Sequence, residues 1–167
     1  MTIKEQQEQS ELEPYAEAMR YMNNAEETLQ KTRKEGNFYL DRKYVRTACG
    51  IAYLGVLEAL GAWLTIKGVP DPPKRKRKTI DFYTTNIARL DGKLTMALHT
   101  AYEVLHREGY YDGVQYVKTI RSGFDVAYEI IARIKPDMPD EELQQYLTEH
   151  QKRKSSFWRQ LYSFLFF

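Results

Sequence analysis

The chain has 167 residues, 43% apolar and 29% charged, with a formal charge of +2 and one cysteine. That length buries a real core within one domain, so small a net charge excludes a general affinity for polyanions, and one cysteine excludes an internal disulfide framework. The Gln/Glu-rich start MTIKEQQEQSELEP lacks the apolar core of a signal peptide, and no apolar run reaches the roughly 20 residues that span a bilayer, so the expected compartment is the cytoplasm, without stable membrane insertion.

Residues 1–12 read as a flexible, solvated lead-in. Pro14 suits the first turn of a helix, where its missing N–H costs nothing. From there Tyr15, Ala18, Met22, Ala25, Leu29 and Thr32 recur in steps of three and four, which places them on one helical stripe that ends near Gly36. Asp41 is the expected N-cap of a second helix, on which the small residues Val45, Ala48, Ala52, Gly55, Ala59 and Ala62 form one stripe. Cys49, Tyr53, Val56, Leu60 and Trp63 flank it on one side, and Leu54, Leu57 and Leu64 on the other. A helix apolar around most of its circumference is expected to be central and enclosed.

Gly68 and VPDPP end that helix, and the basic run Lys74, Arg75, Lys76, Arg77, Lys78 follows. Thr79 caps an expected third helix with an unbroken heptad stripe through Ile80, Tyr83, Ile87, Leu90, Leu94, Ala97, Ala101 and Val104, ending at Gly109. Asp112 would cap a fourth helix, with Val117, Ile120, Phe124, Ala127, Ile131 and Ile134 on its core face and Pro136 closing it. A shorter helix from about Pro139 carries Leu143, Tyr146 and Leu147. Four helices with a shared period near 3.5 and short loops predict an all-α, antiparallel up-down bundle over 13–136. The remainder, 137–167, reads as a short additional helix and an aromatic tail, and no segment alternates with the period of a strand.

Candidate chemistry is sparse. Glu103 and His106 have the Glu-x-x-His spacing of di-iron bundles, but the second copy such sites need is missing, so neither metal nor cofactor is expected. Cys49 lies among apolar residues with no histidine near it in sequence, which describes an inert core thiol rather than a nucleophile. The thirteen tyrosines fall largely on bundle stripes, as packing groups. Lys74 to Lys78 could meet phosphates or an acidic partner, although no aromatic residues interleave with them and an up-down bundle sets acidic helix starts (Glu11, Glu13, Glu17; Asp137, Asp140, Glu141, Glu142) at the same end. Arg42, Lys43 and Arg46 form a lesser basic cluster at the other end. The tail SSFWRQLYSFLFF, with Phe157, Trp158, Leu161, Phe164 and Leu165, is an apolar end that wants a partner: docking on this bundle or a second copy is expected, with contact to a membrane surface as the lesser alternative.

Residues 15–135 resemble the HEPN superfamily of helical bundles, and within it a small bacterial branch of the type found in Bacteroidetes. The segments that carry the resemblance are AEAMRYMNNAEETL, YVRTACGIAYLGVLEALGAWL and the turn HREGYYDG entering VQYVKTIRSGFDVAYEII. The resemblance implies a four-helix bundle that commonly pairs into dimers, in a group that includes ribonucleases and non-catalytic RNA-associated modules. Its ribonucleases carry an arginine followed after four to six residues by a histidine on the last core helix. Here Arg121 and Arg133 have no such histidine, and none of His99, His106 or His150 has an arginine at that distance upstream. The expectation is therefore a non-enzymatic module acting through self-association or another protein, with a nucleic-acid-associated module using the 74–78 loop as the alternative.

Overall fold

The structure, a computed structural model, describes the backbone of residues 3–74 and 76–166 and the side chains of 12–74 and 76–156. Two compact units divide the chain, Met1–Lys135 and Pro136–Phe167. The first is the helical bundle. Its helix α1 (Ile3–Leu29) lies along α2 (Arg42–Ile66), and α2 in turn packs on α5 (Val117–Ile131) and on a π-helical segment, Tyr102–Asp112. Helix α3 (Ile80–Ala88) packs on α4 (Gly92–Ala101), which runs straight into the π-helix. The all-α fold expected from the heptads is the observed one.

The predicted core stripes converge on α2. Val45, Ala48, Cys49, Ala52, Val56 and Leu60 are fully buried, as are Met22 and Ala25 of α1 and Ile120, Phe124 and Ala127 of α5. Small residues let α1 come close: a Cβ on Gly55 would stand 3.2 Å from the Ala18 carbonyl oxygen. Asp41 caps α2 as expected, its carboxylate accepting from the Lys43 N–H at 2.9 Å.

Several expectations are corrected. Helix α1 begins at Ile3, not Pro14, so the lead-in is helical and Pro14 lies inside the helix; Gln and Glu are good helix formers, and one missing hydrogen bond does not stop the run. The third helix is not continuous. Asp91 breaks it by capping α4, accepting from the Leu94 N–H at 2.9 Å while pairing with Arg133 at 2.9 Å, and Leu90 is left exposed. Those N–H bonds, and then Arg133, hold the Asp91 carboxyl below its ordinary range. Gly109 does not end the run either: the helix passes through it to Asp112, where Gly113, at φ +66°, turns the chain. Asp112 therefore closes one helix rather than capping the next.

A two-residue hairpin, β1 (Lys34–Glu35) and β2 (Phe38–Tyr39), joins α1 to α2, and Phe38 bridges to Tyr116. It is too short to leave an alternating signature in the sequence. Contrary to the expectation that no apolar run is long enough, α2 by length and composition alone could cross a membrane. More than half of its apolar stretch is buried in the bundle, as for a core helix, yet the described residues do not enclose α2 all round. Leu54 is exposed, and Ile51 and Leu57 are half-exposed.

The second unit is one long helix, α6 (Asp140–Phe166), not a short helix and a tail. It starts on Asp140, Glu141 and Glu142, where carboxylates favour a helix N-terminus, and the Tyr146 and His150 rings stack 6.2 Å apart along it. The side chains of Phe157, Trp158, Leu161, Phe164 and Leu165 lie outside the described residues.

Candidate functional site

The exposed strip of α2 forms the floor of a groove of about 450 Å³, lined by Thr47, Gly50, Ile51, Tyr53, Leu54, Leu57, His106 and Tyr110. Helical spacing accounts for the floor: positions 47, 50, 54 and 57 recur every three or four residues, on the face of α2 turned from the small-residue stripe. The wall comes from the π-helix. Helices of this type are rare, usually one turn long, and concentrate at functional sites; this one runs through eleven residues. Gly109 allows it to meet α2, because a Cβ there would stand 2.7 Å from that of Cys49. At its end the Arg46 Nε donates to the Tyr110 carbonyl oxygen at 2.7 Å, and the Arg42 guanidinium donates to the Asp112 carbonyl oxygen.

His106 stands in a ring of tyrosines. Its centroid lies 4.8 Å from Tyr53, 5.2 Å from Tyr102, 6.0 Å from Tyr110 in a stacked pose and 5.2 Å from Tyr111 edge-on. Burial lowers the His106 pKa, favouring the neutral ring, and raises that of Tyr53 well above its ordinary value. Glu103, the other half of the Glu-x-x-His spacing, turns to Arg107 at 3.0 Å. Among the described residues no group of three or more His, Cys, Asp or Glu side chains converges as a metal site would require. Cys49 is buried, and desolvation pushes its thiol up to about 12, so it is a protonated core group at neutral pH.

A second, polar cleft of about 460 Å³ lies where α1, the hairpin and α5 meet, lined by Glu26, Gln30, Thr32, Lys34, Tyr39 and Arg121 among others. Arg121 holds Glu26 through two bonds of 2.8 and 3.0 Å, and its guanidinium lies 5.1 Å from the Phe124 ring. Tyr39 and Tyr128 flank the pair, and burial raises the pKa of both. An arginine so engaged by a carboxylate clamps α5 to α1 and has little left to offer an anion.

The predicted basic run is only partly available. Lys78 pairs with Asp71 at 2.7 Å, Lys74, Lys76 and Arg77 are exposed, and Arg75 lies outside the described residues. Of the acids expected to oppose it, Glu17 is held by Arg20 at 2.6 Å. Sequence reasoning missed the tyrosine ring, since Tyr102, His106 and Tyr110 share a face at steps of four that the heptad reading assigned to no role.

The family model that matches residues 13–136 is a domain of unknown function, DUF5618. The chain belongs to this family. Among solved structures it is similar to a protein of unknown function from Dyadobacter fermentans, 38% identical, over 73% of this chain and 94% of that one, with a TM-score of 0.66. No curated protein matches the chain. The expected resemblance to an uncharacterised family of the Bacteroidetes type holds at this level.

Proposed function

We propose that this DUF5618 domain is a non-enzymatic, cytoplasmic, HEPN-like bundle that acts by self-association. The observation that carries the reading is the α2 groove: Leu54 is 50% exposed, and Ile51, Leu57, Tyr110 and Tyr111 continue the apolar surface around it. Contiguous apolar surface with aromatic walls is the composition of a protein interface, where Tyr and Arg serve as anchors. The HEPN resemblance agrees, since bundles of that group commonly pair. Sedimentation equilibrium of the whole chain tests it: a mass twice that of the monomer at micromolar concentration is expected, and a monomer up to about 100 µM would sink the reading.

One observation favours a second reading, nucleic-acid association. At the N-terminal end of α2, the Arg46 guanidinium lies 5.9 Å from the ring centroid of exposed Tyr110 and Arg42 donates to the carbonyl of Asp112, the residue after exposed Tyr111, an association of cations with aromatics that the sequence around Lys74 to Lys78 lacks. Single-strand binders combine cations and stacking platforms in this way. Anisotropy of labelled single-stranded RNA and DNA at roughly 50 and 200 mM salt separates the sites. Binding lost in Arg42→Gln/Arg46→Gln but kept when Lys74 to Lys78 become glutamine would place it here, and salt-insensitive, feeble binding by all three proteins would remove it.

A further inference from the structure

Resting on the self-association reading, we infer that the second copy docks on the α2 groove in an antiparallel two-fold crossing centred between Leu54 and Leu57. A two-fold interface must be complementary to itself, each residue meeting across the axis the position that meets it in return. The outer line of α2 has that property. Gly50, Leu54, Leu57 and Gly61 follow one another at steps of four, three and four, so the order Gly-Leu-Leu-Gly reads the same in both directions. Eleven residues over three turns keep the line nearly parallel to the helix axis, which lets two copies lie along one another.

What covers the two glycines fixes the direction. A Cβ on Gly50 would stand 3.1 Å from the Tyr110 ring, and one on Gly61 3.6 Å from the Lys78 ammonium. Each glycine is thus the seat of side chains from elsewhere in the bundle, the Tyr110 ring at one end of the line and the Lys78 ammonium, with the Tyr83 hydroxyl 3.8 Å off, at the other. Antiparallel pairing brings the Tyr110 ring of one protomer to the Lys78 ammonium of its partner, twice, as a cation over an aromatic face. Parallel pairing would set ammonium against ammonium and ring against ring. Arg46 already lies 5.9 Å from the Tyr110 ring centroid, and Lys78 carries its own counter-ion, Asp71, at 2.7 Å, so the approach leaves no bare pair of like charges. Burial of the His106 ring beside Tyr110 favours its neutral form, which leaves that wall of the groove without a charge.

Cross-linking tests this geometry. In the crossing, position 47 lies next to position 65 of the other protomer, whereas the two copies of position 47 are separated by about 25 Å at about 1.5 Å per residue. Thr47 and Thr65 are both exposed, so Thr47→Cys and Thr65→Cys leave the bundle intact, and buried Cys49 does not react in the native protein. Mixed in equal amounts with a short bis-maleimide, the two variants should give cross-linked dimer at about tenfold the yield of either alone. Leu54→Glu should abolish the cross-link and halve the sedimentation mass with an unchanged circular dichroism spectrum. Efficient Thr47→Cys self-linking would mean a parallel pairing and overturn the inference. A dimer that survives Leu54→Glu and does not cross-link would place the second copy on another surface, overturning this inference but not the proposed function; a wild-type monomer would overturn both.

Discussion

On its inner face α2 presents Val45, Ala48, Ala52, Gly55 and Ala59, all buried; on its outer face it presents Gly50, Ile51, Leu54 and Leu57, none of them buried. Both faces are apolar, and both use glycine to receive something close. The inner glycine, Gly55, receives the backbone of α1, while the outer Gly50 receives a side chain, Tyr110. Inside, small residues leave room for neighbouring helices that are already there. Outside, the larger Leu54 and Leu57 stand up beside a wall of tyrosines, and among the described residues of the bundle nothing closes over them. One helix thus carries a finished interface and an open one, back to back.

Substitution separates the two faces most sharply. Ala52→Leu forces a larger side chain into the fully buried stripe and should cost about 3 kcal/mol of unfolding free energy in urea. Leu54→Ala on the outer face should change monomer stability by under about 0.5 kcal/mol. Equal effects at the two sites would mean that the faces are not distinct. Gly109→Ala probes the seam between them, where the π-helix meets Cys49. The added Cβ would stand 2.5 Å from the Cys49 Sγ, so a loss of about 2 kcal/mol is expected, partly relieved in the Cys49→Ala background. The clamp behind the inner face is milder: Glu26→Gln keeps the shape of the Arg121 contact but removes its charge, and should cost about 1 kcal/mol in the same assay.

How far the sequence carried this picture follows from the same contrast. Periodicity reveals that a position is apolar and which helical face it occupies, so the bundle, the Asp41 cap and the small-residue stripe were all legible. Periodicity does not reveal whether a face is covered from within. Leu54 and Leu57 read as core because the lack of a covering neighbour among the described residues leaves no mark on α2 itself. The break at Asp91 was masked by Leu90 and Leu94, which keep the heptad spacing across it. The π-helix was hidden more deeply, since a widened turn leaves no periodic mark of its own; Tyr102, His106 and Tyr110, at steps of four, would share a face on an ordinary helix too, but the heptad pattern drew attention to another face. The candidate groove was therefore half legible: its residues were in the sequence, and the approach of the tyrosine wall to the α2 floor existed only in the fold.

The outer face also offers the smallest and most specific test, through His106. Two effects compete at this ring. Burial disfavours the imidazolium, whereas the faces of Tyr53, Tyr102 and Tyr110 attract a cation. The pKa is lowered, with desolvation as the cause, so burial prevails. The sign for stability follows from proton binding: below about pH 6.5 the unfolded chain takes up a proton that the folded chain still refuses, so the folded state loses stability as the pH falls. The loss should begin near pH 6.5 and stop growing once the pH passes below the folded pKa. Urea unfolding at pH 7.5, 6.0 and 5.0 should show this fall in wild type, and His106→Phe should remove the His106 contribution to it. An NMR titration of the His106 ring should have its midpoint below 6.5. A midpoint above that value would mean that the tyrosines hold a cation, and the groove would then present a positive charge to its partner instead of an apolar wall. In that case the antiparallel crossing would weaken, because Lys78 of the second copy would arrive beside a charged imidazolium.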